Sequence, residues 1–356
     1  MWNRVRIMFA FVVPFILLLV TASGPMAAGQ PHAPTYTIID LGTLGGVSSY
    51  AQGINSRGQV VGGSATTAGG FHAFLWEAGT GMQDLGALGS FDFSVASGIN
   101  AQGQVVGYFA ADFSDHAFLW EAGTGMQDLG TLGGSHSVAL GINARGQIVG
   151  YSNTADFVDH AFLWEAGTGM QDLGTLGGPR SVAYGISARG QVVGYSGSHA
   201  FLWEAATGMQ DLGTLGGGFS YAQGINPRGQ VVGGSFTSRG AELRAFLWEA
   251  GTGMQDLGTL GGDSVARSIN ARGQVVGDSF TSTSTFDTRA FLWEAGTGIQ
   301  DLGTLGGSRS AAYGINARGQ VVGYSDTAAA DEFGVNLDLR PRTQHAVLWE
   351  PAEEVK

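Results

Sequence analysis

The stretch from His160 to Ser196, HAFLWEAGTGMQDLGTLGGPRSVAYGISARGQVVGYS, returns with small changes along nearly the whole chain, and it constrains the fold more than any other feature. Its Leu-Trp pair falls at Trp76, Trp120, Trp164, Trp203, Trp248, Trp293 and Trp349, with steps of 44, 44, 39, 45, 45 and 56 residues. Its Asp-Leu-Gly triplet begins at Asp40, Asp84, Asp128, Asp172, Asp211, Asp256 and Asp301. Steps of that size match a four-stranded β-propeller blade rather than the shorter coil of most solenoids. Within one unit the apolar pattern and turn chemistry predict four strands, over 161–165, 170–176, 181–186 and 191–195. Internal glycines, costing about 1 kcal/mol each in a helix, exclude helical readings of these runs.

The two ends of the repeat region predict a closed ring. The chain enters with Tyr36 to Asp40, a fourth strand lacking its first three, and leaves with His345 to Glu350, a third strand lacking its fourth. Pairing these halves completes one blade and leaves no open sheet edge between first and last units. The expected fold is therefore all-β: a seven-bladed β-propeller of four-stranded antiparallel blades over 36–350, with a short C-terminal tail at 351–356.

The first 29 residues differ in kind. Arg4 and Arg6 precede an apolar run from Ile7 to Val20, then small residues through Ala27, Ala28 and Gly29, the layout of a secretory signal peptide. The run is shorter than the roughly 20 residues of a spanning helix, so the expected location is secreted, extracellular or periplasmic, with no membrane span after cleavage. With no cysteine, closure must rest on hydrogen bonds and packing. A formal charge of −12 and a single lysine disfavour nucleic acid as partner.

Phe162 and Trp164 lie two apart, so they share a strand face, and their equivalents suit the gap between blades. The strand opens with His72, His116, His160, His199 and His345, but with Arg244 and Arg289 in two units. Guanidinium has no lone pair for a metal, so the shared role is hydrogen-bond donation, with the Asp of Asp-Leu-Gly as candidate acceptor. The Glu after each Trp and the Arg of the Asn-x-Arg-Gly turn, such as Glu77 and Arg57, alternate around one face and are expected to pair.

Length varies in one connection only, between the second and third strands of each unit, so that rim is the candidate binding surface. Its longer loops hold Asp112, Phe113 and Asp115; Asp156, Phe157 and Asp159; Phe286 and Asp287; and Asp331, Phe333, Asp338 and Arg340. Carboxylates with aromatics suit a sugar or a calcium ion, and equally suit solvated loops anchored by phenylalanines. No other cofactor is implied, since nucleotide, zinc-protease and serine-hydrolase motifs are absent.

The His-Ala-Phe strand opening, Asp-Leu-Gly-Thr-Leu-Gly-Gly and Gly-Ile-Asn-x-x-Gly-Gln-Val-Val-Gly together resemble the extracellular HAF-repeat family of bacteria, over nearly all of Tyr36 to Glu350. The resemblance implies secretion and a tandem-repeat scaffold; the chain departs from the motif at Arg244, Arg289 and Val347. The leading expectation is a secreted, non-catalytic, monomeric binding module for a carbohydrate or a cell-surface or extracellular protein. The alternatives are a carbohydrate-active enzyme, hydrolase or lyase, using rim or channel carboxylates, and a structural envelope or matrix protein.

Overall fold

The computed structural model describes residues 35–89, 91–112, 114–238, 242–282, 287–328 and 343–352. The segment read as a signal peptide lies outside these residues. Tyr36–Asp40 (β1) leads into blade 1, Gly45–Ile54, Val60–Thr66, Phe71–Glu77 and Gly81–Asp84 (β2 to β5). Blade 2 is Ser94–Ile99, Val105–Ala111, Ser114–Glu121 and Gly125–Asp128 (β6 to β9). Blade 3 is Gly133–Ile142, Ile148–Thr154, Asp159–Glu165 and Gly169–Asp172 (β10 to β13); blade 4 is Ser181–Ile186, Val192–Ser196, His199–Glu204 and Gly208–Asp211 (β14 to β17). Blade 5 comprises Gly216–Ile225, Val231–Thr237, Leu243–Glu249 and Gly253–Asp256 (β18 to β21); blade 6 comprises Ser264–Ile269, Val275–Phe280, Thr288–Glu294 and Gly298–Asp301 (β22 to β25). Gly306–Ile315, Val321–Thr327 and Gln344–Pro351 (β26 to β28) form blade 7 together with β1, in the order β1-β28-β27-β26. The ring is closed as expected, with Ile38 opposite Trp349 and Ile39 opposite Leu348. The fourth strand of each unit ends sooner than its apolar pattern predicts, at Asp172 in blade 3, because the following Leu-Gly turns toward the next blade.

Each blade presents two apolar faces. In β12, Phe162 and Trp164 pack on Val106, Ala117 and Leu119 of blade 2, while Ala161 and Leu163 pack on Phe201 and Trp203 of blade 4. Six of these phenylalanines have no exposed surface, and burying such a ring is worth about 1.5–3 kcal/mol. In blade 7 Val347 stands where Phe is expected, and Trp349, packed beside Tyr36 and Ile38, is fully buried instead.

Two hydrogen-bond circuits run around the ring. The backbone N–H of the Ala in each His-Ala-Phe or Arg-Ala-Phe strand donates to a buried Ser that opens the next blade, as Ala117 to Ser137 (2.9 Å), and Ala346 to Ser49 (2.8 Å) closes this circuit. On the other side of the blades the turn Asn does the linking. Asn55 Nδ2 donates to the carbonyl of Asn100, Asn100 to Asn143, Asn143 to Ser187, Asn226 to Asn270, Asn270 to Asn316 and Asn316 back to Asn55, at 3.0–3.1 Å. The same Asn caps its own turn, Asn55 Oδ1 accepting from the N–H groups of Arg57 and Gln59. Ser187 is too short to continue the circuit, so the seam between blades 4 and 5 lacks this link.

The expected Glu to Arg pairing is not what forms. Each Glu accepts from the Gln of its own blade, as Gln104 Nε2 to Glu121 (2.6 Å) and Gln320 Nε2 to Glu350 (2.8 Å). The Arg reaches across to the next blade's turn, as Arg272 does to the carbonyl of Ala317. A Gln already held by the Asn of its turn is positioned for the Glu, whereas the long Arg finds backbone acceptors at no cost in burial.

Candidate functional site

The repeated histidines do what their exchange for arginine implied. Nδ1 of His116, His160, His199 and His345 lies 2.7–2.8 Å from a carboxylate oxygen of Asp128, Asp172, Asp211 and Asp40 respectively. The same Asp accepts from the N–H two residues on, as Asp128 from Gly130, so the pair pins the strand end to the loop leaving the blade. Arg289 approaches Asp301 at 3.6 Å, while Arg244 turns instead to Glu242. Among the described residues His72 alone is held on both ring nitrogens, by Asp84 (2.9 Å) and Asp92 (2.8 Å). Burial works against its charge, but the two carboxylates outweigh burial and raise its pKa above the ordinary imidazole value. Among the described residues no three His, Asp or Glu side chains gather as a metal site would require.

The variable rim resolves into separate turns. Asp112, at φ 43°, occupies the short turn between β7 and β8. Asp115 follows on β8 opposite Ala110 and lines a cleft of about 450 Å³ with Phe91, Ser114, Ser135 and His136, between blades 2 and 3. Asp156 and Phe157 form the turn between β11 and β12, and Asp159 lies beyond them opposite Asn153. Asp287 accepts from Thr281 through its carbonyl. Phe113, Phe286, Asp331, Phe333, Asp338 and Arg340 lie outside the described residues.

Phe157 is not the buried anchor that a solvated loop would use. Its turn has the same two backbone bonds as that of blade 1: Thr154 N to Val158 O and Phe157 N to Thr154 O, matching Thr66 N to Gly70 O and Gly69 N to Thr66 O. Blade 1 puts Gly69 at the left-handed position (φ 90°), where blade 3 puts Phe157 (φ 60°). A side chain there costs about 1–2 kcal/mol, and at 73% exposure Phe157 recovers little of it by burial.

The structure also assembles a set that the loops did not announce. Eight of the nine tyrosines stand on the first two strands of their blades, Tyr50, Tyr108, Tyr151, Tyr184, Tyr195, Tyr221, Tyr313 and Tyr324, and two of them, Tyr184 and Tyr313, line the central cavity. Tyr50, Phe71, Phe93 and Tyr108 follow one another at 5.6, 5.9 and 6.1 Å between ring centres; Tyr184, Tyr195, Phe219 and Tyr221 do so at 6.1, 6.0 and 5.8 Å. Tyr313 and Tyr324 stand 6.0 Å apart, and His136 lies 5.3 Å from Tyr151. Burial pushes the pKa of Tyr184 and Tyr313 up to about 12, with neighbouring tyrosines adding to it. Asp115 and Asp159 add to the same upward shift on Tyr151, which ties these two rim carboxylates to the aromatic set. In blade 6 the pattern gives way to Arg267 and Asp278, joined Nε to Oδ1 at 2.7 Å, with the guanidinium 5.5 Å over the Tyr313 ring. The signal in the sequence was the recurrence of tyrosine one or three places before Gly-Ile and just after Val-Val-Gly or Ile-Val-Gly.

No protein-family model matches the chain, and no curated protein matches it in sequence. Among solved structures, the β-propeller domain of the Trilobed protease from Pyrococcus furiosus, described as having an open velcro topology, superposes with a TM-score of 0.52 at 8% identity, covering 85% of this chain and 95% of that one. TolB from Acinetobacter baumannii gives a TM-score of 0.42 at 13% identity over 66% of this chain, which spans 60% of TolB. XC5397, a gluconolactonase from Xanthomonas campestris, gives 0.40 at 9% identity over 88% and 89%. At such identities the likeness speaks to architecture alone, and the architecture is that of a β-propeller.

Proposed function

We propose that this chain is an exported, non-catalytic binding propeller whose variable rim holds a polysaccharide. Export, and kinship with the HAF-repeat proteins its motifs resemble, are part of the proposal. The observation that carries it is Phe157: a large aromatic side chain held in solvent on a strained backbone, with Asp156 beside it in the turn. An aromatic face stacks on the C–H surface of a sugar ring, and a neighbouring carboxylate accepts from its hydroxyls. The cleft lined by Phe91, Asp115 and His136 offers the same chemistry one blade away.

The test is retention of the full chain on insoluble cellulose, chitin and peptidoglycan, and on a glycan array, for the wild type and for Phe157→Ala. Retention on at least one of these, lowered about tenfold by the substitution, is the expected outcome, since interface aromatics commonly carry a kcal/mol or more. Equal retention of both proteins, or none, overturns the rim reading. Reducing sugar released by the wild type would replace it with a hydrolase.

A further inference from the structure

The inner strands of the seven blades are nearly the same sequence, Ser-x-Ala-x-Gly-Ile with Ser268 for the Gly in blade 6, yet the residue after the Ala is not constant. It reads Gln52, Ser97, Leu140, Tyr184, Gln223, Arg267 and Tyr313, and all seven line a central cavity of about 270 Å³. A position serving only to space the blades would tolerate one residue seven times, as the Ala beside it does. Here the repeat is diversified where it meets the channel.

Blade 6 shows the diversification is paired. Arg267 alone among these seven is cationic, and Asp278, which faces it from β23, stands where the other blades carry Gly63, Tyr108, Tyr151, Tyr195, Gly234 and Tyr324. Tyr184 with Tyr195, and Tyr313 with Tyr324, fill the same space with rings. A half-buried ion pair is a poor way to gain stability where rings suffice, because desolvation offsets much of the attraction. The pair does provide something a ring cannot. Arg267 uses Nε on Asp278, and its two terminal nitrogens have no hydrogen-bond partner among the described residues. Asp278 neutralises the charge and leaves its second oxygen as an acceptor. Tyr184 and Tyr313 offer hydroxyls that donate and accept, and Gln52 and Gln223 offer amides.

The geometry points to a second binding site here, in the channel mouth, for one neutral, polyhydroxylated ring of monosaccharide size. Donors and acceptors converge in near balance, which fits hydroxyl groups; a net positive site would fit an anion. The volume falls just under the roughly 300–1,000 Å³ of drug-sized pockets, enough for a single sugar ring and too little for a chain passing through. The site rests on the carbohydrate reading only for its choice of probe; it stands apart from Phe157 and is tested apart from it.

The experiment is calorimetric titration of the full chain with D-glucose, D-galactose, D-mannose and D-glucuronate. At least one neutral hexose is expected to bind one-to-one, with glucuronate no tighter than glucose. Arg267→Gln combined with Asp278→Asn leaves an uncharged amide at each position, and should weaken that binding at least about tenfold, as loss of a charge-assisted hydrogen bond does. Tyr184→Phe removes one hydroxyl without altering packing, and should weaken it severalfold at an unchanged melting temperature. Phe157→Ala should leave it untouched, whatever it does to polysaccharide retention. Absence of hexose binding by the wild type, indifference to both channel variants, or glucuronate binding more than about tenfold tighter than glucose would each overturn the assignment.

Discussion

Ile38 lies opposite Trp349 across the antiparallel pair that joins the first strand of the ring to the last, and Trp349 is the only one of the seven repeat tryptophans with no exposed surface. The closing strand covers it, through Tyr36 and Ile38. Trp349→Ala should cost about 3–5 kcal/mol in urea unfolding, and Trp76→Ala, at a half-buried position, clearly less. Equal losses would mean that closure carries no special share of the stability.

Ser187 interrupts the circuit of turn asparagines. Ser187→Asn places an amide where Nδ2 reaches the carbonyl of Asn226, as Asn143 Nδ2 reaches that of Ser187. One added buried hydrogen bond should stabilise the protein by about 1 kcal/mol. Hydrogen exchange at the turns of blades 4 and 5 should slow in the variant and stay unchanged elsewhere.

Phe157→Gly separates the fold from the surface. Removing a side chain from a left-handed position relieves strain, less the extra freedom glycine gives the unfolded chain, so the net gain should be up to about 1 kcal/mol. Polysaccharide retention should fall in the same variant. A rise in stability with a loss of binding is the pattern of a residue kept for its contacts with a ligand.

His72 makes stability depend on pH in a stated direction. Its folded pKa is raised above the ordinary value of about 6.5, so the folded state holds the proton more tightly than the unfolded one. The stabilisation is complete below pH 6.5 and is lost as pH rises through the folded value. Nuclear magnetic resonance titration should place the His72 midpoint above those of free imidazoles, and Asp92→Asn should lower it.

The buried tyrosines act at the alkaline end. Because burial raises their folded pKa, up to about 12 for Tyr151, Tyr184 and Tyr313, the unfolded chain releases protons first, from about pH 10. Stability should fall steadily above that pH, with the tyrosinate absorbance of these three residues rising as the blades open. Ordinary titration of Tyr151, Tyr184 and Tyr313 in the folded ring would contradict the burial seen here.

The architecture was legible because its signals repeat. Seven landmarks at a blade's spacing predict the blades, and the unmatched strands at Tyr36 and His345 predict the seam. The His to Asp tie followed from the exchange of His for Arg at two units. The tyrosine set was harder to see. Tyr50 and Gly63, like Val95 and Tyr108, are cross-strand neighbours, so the ring at each blade comes from either strand and no single column of the repeat shows it. The Glu to Gln bond was hidden by a charge pattern that favours Arg on paper, where the Asn of the turn had already fixed the Gln. Phe157 was named from the sequence, but its strain required a backbone angle.

Since β1 and β28 come from opposite ends of the ring-forming region, the last blade is assembled only after the final strand has left the ribosome, and six blades can form before it. Until β1 docks on it, β28 offers a bare edge that β1 of another copy fits as well as its own. Protein concentration during refolding therefore sets the ratio of single rings to exchanged dimers, and dilution should favour the single ring.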